Sequence, residues 1–153
     1  MKALPMPVLM KFLHLLAAVA WLGGIGFMLL ALRPAAAQIL APPQRLALTA
    51  RALQRFFALV WLCIAILLTT GLAMLLSVGM KNAPTGWHAM LGLGLLMSAV
   101  FGHIYFGPFR RLQGAVSAAD WPEGGRHAGR IAALARLVLG LGVLAIAAVF
   151  FMI

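Results

Sequence analysis

The sequence predicts an all-α membrane protein, an antiparallel four-transmembrane-helix bundle with both termini periplasmic, and three observations carry that expectation. Four runs, at about residues 6–32, 56–79, 86–108 and 131–152, are apolar over some 20 residues or more, the length a helix needs to cross a bilayer's hydrocarbon core. The chain is 65% apolar and 9% charged, with a mean hydropathy of +1.07, whereas soluble domains carry about 25% charged residues. Finally, the basic residues gather on alternate connections. Arg33, Arg45, Arg51 and Arg55 flank the first and Arg110, Arg111, Arg126 and Arg130 the third, against Lys81 alone in the second. The first and third loops are therefore expected on the cytoplasmic side.

The 153 residues are nearly used up by four spans and three loops, which makes residues 1–153 a single membrane domain without a soluble catalytic part. The net charge of +10 matches attraction to anionic lipid, at about 1 kcal/mol per basic residue near the surface. The expected partner is thus the lipid bilayer and no nucleic acid. Ala18-Val19-Ala20 resembles a signal-peptide cleavage site, but the apolar run continues about twelve residues beyond it, so the first span is expected to stay uncleaved. Cys63 is the only cysteine, which excludes a disulfide and CxxC redox chemistry.

The first span opens after Pro5 and Pro7 and is expected to end at Arg33-Pro34, because the residue before proline avoids the helical region. Pro42-Pro43 suits a first helical turn, and residues 44–55 carry the second helix about three turns beyond the membrane. Gly79 to Gly86 reads as a tight external loop. The third span is expected to stop at Gly107-Pro108, followed by a long loop holding both acids, Asp120 and Glu123, His127, and a short interfacial helix near Arg110 to Ala119. Trp87 and Trp121 fall where an aromatic belt forms. Gly94, Ser98 and Gly102, like Ala20 and Gly24, recur at the spacing that lets helices approach closely in lipid, which puts the third span at the bundle's centre. Arg136, one to two turns inside the fourth span, is expected to snorkel or to pair with an acid.

Intramembrane histidines are costly and require a reason. Met6, Met10 and His14 are four apart, a ladder down one helix face that Trp21 and Met28 continue. Met74 and Met80 end the second span and His88 opens the third at the same surface. Thioether and imidazole without carboxylate suit a soft monovalent metal such as Cu(I); methionine also fills gaps in any apolar bundle. His14 and His88, about 14 and 5 Å below the surface by helical rise, are candidates to share one ligand. His103 lies about 22 Å deeper than His88, too far for one metal ion; two stacked haems could use that spacing, with His127 as the deeper axial partner.

Several stretches resemble the short members of the copper-resistance D (CopD) family of bacterial inner-membrane proteins. They are Lys11-Phe12-Leu13-His14-Leu15-Leu16, Trp21-Leu22-Gly23-Gly24, Pro42-Pro43-Gln44-Arg45-Leu46, Arg55-Phe56-Phe57, Trp87-His88-Ala89-Met90-Leu91-Gly92, residues 103–111, and Asp120-Trp121-Pro122. The resemblance implies a four-helix module of copper uptake or resistance, a multi-pass inner-membrane location, and histidine and methionine ligands near the periplasmic face. His14 and His88 fit such positions; Met6 and Met10 are added from spacing. A weaker similarity joins the chain to HemJ-type, haem-associated membrane proteins, which carry a lysine where this chain has Met90.

Three readings follow. In the first, Cu(I) is held by His14, His88, Met6 and Met10 and passed inward or to a periplasmic copper protein. In the second, haem b is held between His14 and His88, with His103 as a further haem ligand, making the chain a membrane redox protein with a redox partner and, if an enzyme, a haem-dependent oxidoreductase. In the third it is an assembly subunit of a membrane complex. Acid–base and triad catalysis are not expected, since both acids fall in one loop and no serine has a base-and-orienter pair.

Overall fold

The computed structural model describes residues 6–152. Four long helices, α1 (Met6–Ile39), α2 (Pro42–Val78), α3 (Thr85–Ser117) and α4 (Trp121–Phe151), are each apolar and long enough to cross a membrane. No strand occurs among the described residues. In lipid a chain must satisfy its own backbone polar groups, and helices do so within one segment.

Local chemistry sets the breaks between them. Ala41 is extended and Pro42-Pro43 supply the first turn of α2. Gly79, at φ 87°, ends that helix in the left-handed region that glycine enters without a Cβ penalty. The Asp120 side chain accepts the Glu123 backbone N–H at 3.1 Å and caps α4, satisfying one of the amide groups orphaned at a helix start.

Two expected helix ends are absent. Arg33-Pro34 and Gly107-Pro108 do not stop their helices; each lies at or just after a wide turn, Met28–Leu32 in α1 and Tyr105–Phe109 in α3. A π-turn shifts the hydrogen-bond register by one residue, so the missing proline N–H and its ring are accommodated without leaving the helix. The linker after the first span is consequently helix through Ile39. The long third loop shrinks to residues 118–120 between α3 and α4.

α1 packs on α2 and α3 on α4; α2 and α4 also touch, and α1 and α3 occupy opposite corners. The expectation that Gly94, Ser98 and Gly102 form a packing seam is not met. A Cβ added at Gly94 or Gly102 would meet nothing within 4 Å, because α3 turns its bulky face, Met97, Phe101 and Ile104, to the core instead. Close approach occurs at Gly24 against Phe56, Gly142 against Leu22, and Gly86 against the carbonyls of Ala148 and Met152.

The centre is aromatic. Phe57 meets Phe101 at 5.1 Å and Phe109 at 4.9 Å between centroids, both edge-on, and Trp61 meets Phe101 at 5.2 Å. Edge-to-face pairs are favoured by the ring quadrupole and add about 0.5–1.5 kcal/mol each beyond area burial.

Candidate metal site

A side-chain hydrogen bond joins two membrane helices where α1 meets α2. His14 Nδ1 is 2.8 Å from Thr70 Oγ1, and the carbon Cε1 of the same ring lies 3.2 Å from where a Cβ on Gly71 would stand. Gly71 thus opens the space that the imidazole fills. Thr70 is buried and its hydroxyl donates to the Ile66 carbonyl at 2.5 Å. A hydroxyl has one proton to give, so its remaining role toward His14 is acceptor, and His14 donates from Nδ1. The neutral ring then carries its lone pair on Nε2. Metal-binding histidines are commonly fixed this way, with one nitrogen anchored and the other left for the metal.

Sulfur stands on the same seam. α1 and α2 run antiparallel, so four residues toward the helix start from His14 is Met10, and four toward the helix end from Thr70 is Met74; each step rises about 6 Å. Met10 and Met74 are half-buried, while Met6, a further turn out, is 67% exposed.

The other candidates sit elsewhere. His88 is exposed in the first turn of α3, its Nδ1 3.3 Å from the Pro84 carbonyl. α1 and α3 stand at opposite corners, and no hydrogen bond among the described residues links His88 to His14. His103 is exposed on α3. His127, expected as a solvated loop residue, is instead within α4 and 5% exposed. Its Nε2 lies 2.8 Å from Glu123 Oε1, which also accepts from Arg126 at 2.6 Å. It is buried because the third loop is helical and folds Leu112 and Ala115 against Gly124, one turn away. Arg136 is exposed, and Glu123 pairs with Arg126 rather than with it. Among the described residues no three His, Cys, Asp or Glu side chains gather as a metal cluster.

Sequence reasoning passed over Thr70. Its signal was the pair Thr69-Thr70 within an apolar run, since polar side chains in lipid need partners.

Four apolar helices long enough to cross a membrane define a multi-pass inner-membrane protein. The family model for copper resistance protein D, CopD, matches residues 50–152, and the chain belongs to that family. The match takes in Thr70, Met74, His88 and His103 and begins after His14. No curated protein and no solved structure matches the chain.

Proposed function

We propose that this CopD-family copper-resistance protein binds Cu(I) as cargo at the α1–α2 seam, with His14 Nε2 as the central ligand and the sulfurs of Met10 and Met74 as its partners. Met6 is the exposed first contact, and His88 is a separate surface imidazole at the same end. The arginines of the opposite end belong, by the positive-inside tendency, to the cytoplasmic side, so the seam opens to the periplasm. A periplasmic copper protein is the donor or acceptor that this placement suits.

One observation carries the reading: the His14–Thr70 hydrogen bond, which leaves an imidazole nitrogen with a free lone pair on a half-buried ring between two apolar helices. Imidazole and thioether are uncharged and soft, which suits Cu(I) over Mg or Ca, and a monovalent ion costs less to desolvate here than a divalent one.

Titration of the detergent-solubilised protein with Cu(I) against a chromophoric competitor tests it. Supporting-shell changes weaken metal sites by about 10–100-fold, so removing the ligand itself in His14→Ala should lower affinity by at least that much. Unchanged affinity in His14→Ala and in the His14→Ala, His88→Ala double variant would end the proposal.

A further inference from the structure

The arginine end holds a cavity of about 490 Å³, within the range of about 300–1,000 Å³ typical of small-molecule sites. It is unrelated to the copper reading, since it lies at the far end of the bundle from His14. On α4 its lining runs from Gly125 to Val138, and on α2 from Arg45 to Val60. At the helical rise, either stretch is about 20 Å long. The space is an elongated shaft among the four helices, walled mostly by apolar side chains.

Its chemistry changes along its length. The deep part is walled by Trp21, Val60, Phe101 and Val138, all buried and none with an ionisable group. At the mouth stand Arg33 and Arg45. The remaining polar wall residue, Thr49, already gives its hydroxyl proton to the Arg45 carbonyl at 2.8 Å. The chain's two acids are Asp120 and Glu123, and Glu123 is held by Arg126 and His127. Among the described residues neither guanidinium at the mouth makes an ion pair.

We propose that this shaft is a binding site for an anionic phospholipid, with one acyl chain in the apolar bore and the phosphate between Arg33 and Arg45. The surrounding bilayer supplies that molecule. Basic pockets at the end of membrane bundles attract anionic headgroups, and a guanidinium pairs with phosphate through two parallel hydrogen bonds.

The test is native mass spectrometry of the full chain equilibrated with phosphatidylglycerol or with phosphatidylcholine of identical acyl chains. Phosphatidylglycerol should be retained in preference. Two lost cations are worth about a 30-fold drop in retention, which is the fall expected in the Arg33→Gln, Arg45→Gln variant. Ala135→Leu tests the bore separately. Ala135 lines the cavity and is half-buried, and leucine is nearly as good a helix former as alanine, so the variant should keep its helical circular dichroism while losing the lipid.

Equal retention of the two lipids, or retention unaffected by either variant, overturns the proposal. Displacement of the lipid by inorganic phosphate alone would reduce the site to a headgroup contact and overturn the acyl bore. Stoichiometric displacement by oleate would assign it to free fatty acid instead.

Discussion

At one end of the bundle His14 is half-buried between two helices and keeps a free ring nitrogen; at the other, His127 is 5% exposed and tied to Glu123. Both are imidazoles in an apolar chain, yet their neighbours differ in kind. Around His14 the partner is the Thr70 hydroxyl, which engages Nδ1 and leaves the second nitrogen available. Around His127 the partner is a carboxylate shared with Arg126, and helix packing closes over the ring. His14 is paired across a helix seam and His127 within its own helix, and adjacency to charged residues in sequence was a poor guide to exposure.

Removing material from the aromatic centre, which anchors the arginine end, should have the largest effect on this contrast. Phe57→Ala should destabilise the solubilised protein by about 3–5 kcal/mol, because Phe57 is 5% exposed and packs edge-on against two rings. Phe12→Ala, at a side chain 59% exposed near His14, should shift the unfolding midpoint little. Comparable losses at the two positions would show that the ends are equally packed.

A smaller difference is expected between histidines. His127→Ala opens a buried space and deprives Glu123 of one partner, a loss of about 2 kcal/mol, while His88→Ala should stay within about 0.5 kcal/mol. Thermal unfolding of both variants in the same detergent checks the pair, and a larger effect at His88 would mean that it has a buried role.

The smallest stability change sharpens the comparison most. Thr70→Val removes the acceptor for His14 and should cost about 1 kcal/mol, with Cu(I) affinity falling by about 10–100-fold as the ring loses its orientation. Thr69→Val is the control, since Thr69 bonds only to carbonyls of its own helix. Equal copper affinity in the two variants would remove Thr70 from the site.

Much of the fold was legible because membrane helices announce themselves: four apolar runs, separated by Pro42-Pro43, Gly79 and Asp120, required no long-range knowledge. Pro34 and Pro108 misled, because the rule that proline ends helices describes chains with water to satisfy the freed groups, whereas here a π-turn accommodates each. Gly94 and Gly102 misled for a related reason. Their spacing marks a smooth helix face, but burial went to the face with Phe101, which removes more apolar surface from contact with the surroundings.

The candidate site was half visible. His14 and Met10 share a face by helical periodicity alone. Their counterparts Thr70 and Met74 lie about sixty residues away in the chain, and no local pattern specifies which hydroxyl meets which ring. The sequence by itself determined the helical class and the apolar lengths, since these follow from composition and periodicity. Tertiary structure decided that His14 faces Thr70, that His88 is exposed, that His127 is enclosed and that a cavity opens beneath Arg33 and Arg45. Those facts depend on how helices rotate and cross, which is fixed by the packing of all four together.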